Sequence, residues 1–548
     1  MFLKKKYILK NLYTQNLYVS FFFITYLIIG VFISKDYGIA FDEDMQRDLG
    51  QNRIDYINNF FSRIFSSTNS IDSINIKFPE YGALFEVFAL WVENIINISD
   101  SRSQYFLRHY LIFFISFIGS IFFYFLALKR FSSWKLALLG TLFLISSPRI
   151  FASGFFNSKD IIFMYFFIAN IFFSIAFLER PNFKNGLLFA IFSAMCVGIR
   201  VAGVLVPFLI LFFIFIKSLR KDYDFKITKY IFSFAFFFVF FVIIFWPSLW
   251  ENPIDNFINS ILSFKSYDHP MYNFYLGKYI HSTTIHWFYI PLWISITTPI
   301  IVLLFFVYGF LLSIRRLFIR LININFKNDL NDLWRGPNEL QDIIFLSLLF
   351  FPVFFIVILN STLYSGWRHV YFLYPLIVLI SLSGLKILYN KLHINKFVKI
   401  KKILTIVIFL SVTFNFHWLY KSHPFQNSYF NLLAGEKPHS RFQVDTWGLS
   451  NRFVLEKLIK EDKKNQISLS AISVTPLGLN FEILKPEQKR RIKYSSTYEN
   501  SDYIINNGAF IWGDYHKIKK LPANFDLYYE LLIDDILITT IYKRNDLL

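Results

Sequence analysis

One cysteine, Cys196, stands among 548 residues. No intramolecular disulfide can form, so any domain outside the cytoplasm must be held by its own core. Charge is scarce as well: 17% of residues are charged against 55% hydrophobic, and phenylalanine alone fills 72 positions. That balance excludes an ordinary soluble fold and specifies a polytopic membrane protein. Also missing are a glycine-rich phosphate loop, a nucleotide-binding fingerprint and a Ser-His-Asp pattern, which argues against a soluble, nucleotide-borne substrate. His269, His281 and His286 share one segment, but their spacing matches no zinc motif and their aromatic surroundings favour interfacial packing. No small-residue cleavage site closes the first apolar run, so it is a retained anchor rather than a signal peptide.

What is present is a series of uncharged runs at 11–34, 110–128, 136–148, 161–178, 185–199, 201–216, 230–250, 287–314, 343–367, 370–385 and, broken by His417, 403–420. These predict about eleven transmembrane helices. Several fall short of the roughly 17 apolar residues that a straight span needs, and must borrow flanking residues, sit inside the bundle or re-enter. Lys and Arg cluster before the first run (Lys4, Lys5, Lys6, Lys10) and after the second, fourth, sixth, eighth and tenth. By the positive-inside rule those segments are cytoplasmic, with the N-terminus inside and the C-terminus outside the cytoplasmic (inner) membrane. Most of the net charge of +19 is then topological, and nucleic acid is not an expected partner.

The unusual residues fall on the outward segments. Residues 35–106 carry Asp42, Glu43 and Asp44 just beyond the first run, then Leu84 to Ile98, an apolar stretch with Trp91 that reads as an interfacial helix. Residues 149–160 hold Arg149, Asn157, Lys159 and Asp160; residues 251–286 are rich in Tyr, Asn and His; and Tyr364 to His369 leads into the tenth run. Arg149, Arg200, Arg368 and His369 stand at outward ends of short spans, where charge is costly to keep. Together they describe an anion site at the depth of a lipid phosphate, because guanidinium donors match phosphate oxygens bidentately. The plainer reading of each is an arginine snorkelling to headgroups or paired with a carboxylate. Carboxylates and cations on one face suggest attack of an acceptor hydroxyl on a sugar carbon whose leaving group is a lipid-borne phosphate, with a carboxylate as general base. Asp42, Glu43 and Asp160 are also hard oxygen ligands of the kind a divalent metal takes. They share no spacing motif, and the sequence assigns no cofactor.

In order and sidedness these residues resemble the multi-spanning glycosyltransferases of the GT-C architecture, family 39 and its protein O-mannosyltransferase-like bacterial members above all. That family places an acidic pair, commonly Asp-Glu, in the first outward loop, where Asp42-Glu43 stands. The resemblance implies that Asp42 is the general base and Glu43 its supporting neighbour. Pro148-Arg149 and Asn157-Ser158-Lys159-Asp160 look like a Pro-Arg and Asn-Pro-Lys-Asp pair of the same group, with Ser158 in place of the proline. Histidines often lie between the two; here Ser153 and Phe155 do, which departs from any metal site there. Tyr364-Ser365-Gly366-Trp367-Arg368-His369, Asn427 to Asn431 and Asp445-Thr446-Trp447-Gly448 are similar to further segments, with Thr446 where the group has Tyr. Lys77-Phe78-Pro79 is a weaker echo of a Lys-Pro-Pro that other members hold near the lipid phosphate.

The resemblance implies a GT-C-like inverting transferase that takes its sugar from a polyprenyl-phosphate carrier and passes it to a glycan, lipid or protein hydroxyl. Catalysis would fall to Asp42, Glu43 and Asp160, and substrate binding to Lys77, Arg149, Asn157, Lys159, Arg200, Trp367, Arg368 and His369. Two regions are expected: 1–420 as the membrane catalytic domain and 421–548 as a small extracytoplasmic α/β domain, with a helix over Thr446 to Lys460 and strands at Ile467 to Ile472 and Ile533 to Tyr542. Asp445 serves equally well as the N-cap of that helix. The rival reading is a transporter or exporter of lipid-linked sugar, which would place charge near the bilayer midplane and show paired halves. Here the charges gather at one face, and no internal repeat is visible.

Overall fold

The computed structural model describes residues 2–65, 74–220, 222–223, 226–263, 271–322, 333–392, 397–473, 476–495, 497–509 and 521–545, with side chains from residue 15 onward. His269 and Lys4 to Lys10 therefore lie outside the described side chains. Helix α1 (Phe2–Ile33) is followed by helices α2 (Glu43–Phe65) and α3 (Leu84–Ile96). Then come α4 (Ser101–Phe131), α5 (Trp134–Ile145), α6 (Pro148–Phe156), α7 (Asp160–Glu179), α8 (Phe183–Val197), α9 (Leu205–Leu219), α10 (Ile227–Phe245) and α11 (Pro253–Ser263). A hairpin, β1 (Tyr272–Tyr275) with β2 (Lys278–His281), precedes α12 (Tyr289–Thr297), α13 (Ile300–Ile322), α14 (Pro337–Ile358), α15 (Tyr374–Lys391) and α16 (Val398–Lys421).

Among the described residues nine helices are long and apolar enough to cross a membrane, ten if α5 and α6 count as one span bent by 70°. The expected eleven differs because α8, of 15 residues, is short, and because the 136–148 run ends at the bend between α5 and α6. All eleven runs are helical, and their contacts show them running alternately between two ends of one bundle. At one end Arg130 grips Asp342 through two bonds of 2.7 and 2.8 Å, Arg316 reaches Asp342 at 3.0 Å, and Lys129 meets Glu179 at 2.9 Å. At the other end lie the first outward loop, the start of α7, the end of α8 and the start of α15. Helices α7 and α15 form the centre, with 78% and 89% of their apolar stretches buried. Helix α13 crosses α15 where Gly309 meets Gly384; a Cβ on either would lie 2.3 or 2.5 Å from a backbone carbonyl of the other helix. Small residues let membrane helices approach this closely.

Helix α3 is inside out. Phe88, Trp91, Ile95 and Ile96 are exposed, while Glu86 and Glu93 are buried and paired with Arg108, and Glu93 also with Arg47 at 3.0 Å. Burial raises the Glu93 carboxyl against the pull of Arg47. An apolar face turned outward at this level suits the interface of a bilayer.

Beyond α16, residues 421–449 run in short 3-10 turns over the outward helix ends and lead into an α/β body: α17 (Ser450–Glu461), β3 (Ile467–Ala471), α18 (Leu477–Glu482), α19 (Pro486–Lys489), β4 (Ile492–Tyr494), β5 (Tyr503–Asn506), β6 (Phe525–Ile533) and β7 (Ile536–Arg544). The sheet order is β4-β3-β5-β7-β6, parallel across β4, β3 and β5 and antiparallel thereafter. The helix expected from Thr446 starts instead at Ser450, because Asp445 folds residues 445–449 into a turn. Its carboxylate accepts from Leu449 N (3.0 Å), Ser450 N (3.2 Å) and Ser450 Oγ (2.6 Å). Asp445 therefore acts as a cap.

Candidate active site

Asp42 sits at the entry to α2, where its carbonyl accepts from Gln46 N at 2.9 Å and opens the helix. Its carboxylate is 29% exposed and accepts from Arg368 Nη1 at 2.5 Å. Arg368 is buried at the entry to α15, with its guanidinium 4.7 Å from each of the Tyr364 and Trp447 rings. Two aromatic faces and one carboxylate fix its plane, so Arg368 can hold Asp42 in a single orientation.

Asp160 opens α7, and Asn157 organises that turn. Asn157 Oδ1 accepts from Asp160 N (2.7 Å) and Lys159 N (3.2 Å), and its Nδ2 donates to Asp160 Oδ2 (3.1 Å). Arg200, in the break between α8 and α9, ion-pairs with the other oxygen of Asp160. The Lys159 ammonium lies 3.2 Å from the centre of the Tyr81 ring. Burial, and then the Arg200 guanidinium, push Lys159 down to about 7, against the opposing charges of Asp160 and Asp42. The structure thus brings Asp42, Asn157, Lys159, Asp160, Arg200, Arg368 and His369 together at one end of the bundle. Three polar atoms there remain unmet: Arg200 Nε, Arg368 Nε and His369 Nδ1 are buried with no hydrogen-bond partner among the described residues. Buried polar groups are nearly always satisfied, so such a cluster marks where a ligand belongs.

Arg200 and His369 also stand on a groove of about 330 Å³ whose other walls are largely apolar, among them Leu205 of α9, Pro352 and Phe355 of α14, Leu359 just beyond it, and Phe372. One charged end and one apolar length fit an amphiphile whose anion sits at the site and whose chain runs down the groove.

The remaining sequence candidates lie elsewhere. Glu43 turns away from Asp42: its Oε1 accepts from Ala40 N at 2.7 Å, and its Oε2 lies 3.0 Å from His109 Nε2. It is buried and caps α2 against α4, which makes it a structural support for the loop. Arg149 points to a different place, donating to Tyr429 O at 3.1 Å between the Phe430 ring at 4.7 Å and the Trp293 ring at 5.3 Å. Trp367 is buried beneath Arg368, where its Nε1 donates to Thr297 Oγ1 at 2.9 Å. Lys77 is exposed, and the contacts described for it are its backbone's: its carbonyl accepts from Arg53 Nη2 (2.8 Å) and its N–H donates to Asn52 Oδ1 (2.9 Å). Asp44 accepts from Tyr105 Oη at 3.1 Å. Among the described residues no three His, Cys, Asp or Glu side chains converge as metal ligands.

Several working residues escaped the sequence reading. Arg53, fully buried in α2, donates to the carbonyls of Lys77, Phe78 and Tyr81 and thereby sets the loop that presents Tyr81 to Lys159. Gly82 lets that loop touch the end of α8, where Leu84 N donates to Gly198 O at 3.2 Å. Trp447 caps the Arg368 guanidinium, packs on Phe156 (5.5 Å) and accepts from Phe41 N (3.0 Å). The Asp-Thr-Trp-Gly motif carried a trace of this; no pattern in the sequence announced Arg53.

No family model and no curated protein sequence matches the chain. Among solved structures it is similar to ArnT from Cupriavidus metallidurans, in the apo state at 12% identity and a TM-score of 0.44, over 95% of this chain and 97% of that one. The same protein bound to undecaprenyl phosphate gives 11% identity and a TM-score of 0.46 over the same shares. The oligosaccharyltransferase AglB from Archaeoglobus fulgidus, in complex with an inhibitory peptide and a dolichol-phosphate, gives 11% identity and a TM-score of 0.48, over 89% of this chain and 70% of that one. At such low likeness, what the chain can do chemically stands on its own residues.

Proposed function

We propose that the chain is a membrane glycosyltransferase that moves a sugar from a polyprenyl-phosphate carrier to an acceptor hydroxyl. The observation that carries this reading is the set of unmet polar atoms on Arg200, Arg368 and His369, at the head of an apolar groove and beside the partly exposed carboxylate of Asp42. The lipid phosphate binds Arg200, His369 and Lys159, and the polyprenyl chain lies along α9 and α14. Asp42 takes the proton of the acceptor hydroxyl as its oxygen attacks the anomeric carbon. The bond to the phosphate oxygen breaks on the opposite face, and the leaving pair of electrons is stabilised by the Arg200 and Lys159 cations, with His369 donating a hydrogen bond. One displacement inverts the anomeric centre. Asp160, held on one oxygen by Arg200 and on the other by Asn157, orients the arginine rather than attacking. By the distribution of Lys and Arg, the site faces the outer side of the cytoplasmic membrane and the basic end of the bundle faces in. Between the two ends, Asn170 and Ser193 meet through a neutral hydrogen bond of 2.9 Å, which does not suit a charged transport path.

The test is transfer from a synthetic polyprenyl-phosphate sugar with Asp42→Asn and Arg200→Ala. Loss of the base should lower kcat by about 10²–10⁴ with little change in donor affinity. Arg200→Ala should raise the donor KM. Full turnover by a folded Asp42→Asn protein refutes the base assignment.

A further inference from the structure

A second cavity, of about 1280 Å³, lies between the start of α13, the end of α16 and the β6–β7 hairpin of the α/β body. We propose that it seats a membrane lipid whose head carries a protonated amine.

The walls divide by height. Ile300 and Ile301 of α13 with Leu410 and Phe414 of α16 belong to membrane-spanning helices and make an apolar floor open to the bilayer. The roof is acidic: Glu436, Glu530, Asp534 and Asp535 line it against a single lysine, Lys437. Asp534 is already engaged, accepting from Trp418 Nε1 at 2.6 Å and Lys421 Nζ at 2.5 Å, which pins the hairpin over the cavity. Glu436, Glu530 and Asp535 form no salt bridge among the described residues. Negative potential above an apolar floor selects an amphiphile with a positive head and disfavours an anionic one.

Acidic side chains alone would not make a site, but Asn415 adds an independent sign. It lines the same cavity, is 95% buried by its exposure of 5%, and its Nδ2 has no partner among the described residues. An amide donor kept unpaired within a spanning helix is costly unless something accepts from it. The volume exceeds the usual range of about 300–1,000 Å³ for small-molecule sites, so it suits a lipid head with the upper part of its chains. The inner wall is Tyr429 and Phe430, and behind it stands Arg149, whose Nη2 is buried and likewise unpartnered. The groove between α9 and α14 lies elsewhere in the bundle and shares no lining residue with this cavity.

Photolabelling of the full-length protein in phosphatidylethanolamine–phosphatidylglycerol vesicles tests this. One sample carries a trace of phosphatidylethanolamine with a diazirine in its tail, the other phosphatidylglycerol with the same tail, and labelled residues are mapped by mass spectrometry. The amine-headed probe should label 300–301 and 410–415 about fivefold more than the anionic probe, and Glu530→Gln with Asp535→Asn should erase that preference. Ser411→Trp, which fills the cavity, should remove those labels while leaving the lipid-facing Phe409 labelled. Equal labelling by the two probes, or labels that survive Ser411→Trp, would mean annular lipid only and would overturn the proposal. The two readings fail separately: selective labelling in a protein without transfer sinks the transferase and leaves the lipid seat, and transfer without selective labelling sinks the lipid seat alone.

Discussion

Replacing Gly82 by alanine asks whether the contact between the first outward loop and the end of α8 holds the site together. The Cβ of an alanine there would lie 2.0 Å from the Gly198 carbonyl oxygen, 2.4 Å from its carbon and 2.8 Å from its Cα. All three are backbone atoms, so no rotamer change can relieve the clash, and the two segments must separate by more than about 1 Å to reach ordinary contact. Overpacking of this kind costs about 1–3 kcal/mol. The bond from Leu84 N to Gly198 O is lost with it, for about another 1 kcal/mol. The catalytic effect should exceed the stability effect, because Gly82 follows Tyr81 and Gly198 lies two residues before Arg200. A shift of ~1 Å between groups that bind one phosphate can cost about a hundredfold in rate. Thermal unfolding of the purified protein in detergent and sugar transfer from a polyprenyl-phosphate donor read the two effects. Gly478→Ala is the control: no atom lies within 4 Å of its Cβ, and in α18 alanine should be neutral or stabilise by about 0.5–1 kcal/mol. A Gly82→Ala protein that matches both the wild type and this control would refute the reasoning.

Other consequences are as direct. Arg108→Met strands Glu86 and Glu93 in a buried setting and should destabilise by about 3–5 kcal/mol, largely recovered when both glutamates become glutamine, as read by unfolding in detergent. The Lys159 ammonium, held down to about 7, loses its charge as pH rises through neutrality, so the donor KM should climb above pH 7 and stay flat in Lys159→Arg. The same shift sets the sign for stability. Between about 7 and the ordinary lysine value of ~10.4 the unfolded chain binds more protons, so stability rises with pH across that window, and Lys159→Met should abolish the rise in pH-dependent melting. Asp445→Ala removes three hydrogen bonds from the turn before α17 and should cost about 2 kcal/mol in the α/β body, seen as early proteolysis there.

The sequence reading is clearest where a single physical rule dominates. Each uncharged run holds a helix, and the cost of charge at a helix end points to Arg149, Arg200, Arg368 and His369, of which all but Arg149 stand with Asp42 and Asp160 in the structure. It faltered where direction matters. Adjacent Asp42 and Glu43 look equivalent in a string, yet the first helical turn sends one to Arg368 and the other to His109. Arg149 bears the same signature as Arg200 but is drawn off by Trp293 and Phe430. The apolar run from Leu84 to Ile98 forms a helix, α3, yet its only charged residues, Glu86 and Glu93, lie on its buried face.

The ring of Trp447 on Arg368 and its carbonyl on Phe41 tie the residue before the proposed base to one some four hundred positions later. Membrane chains are inserted from the N-terminus as they are made, so the bundle threads into the bilayer before Trp447 leaves the ribosome. Until then Arg368 lacks its cover and the loop bearing Asp42 lacks its anchor. The order of synthesis therefore makes the cover over Arg368 and the anchor of the loop bearing Asp42 among the last contacts of this end of the bundle to form.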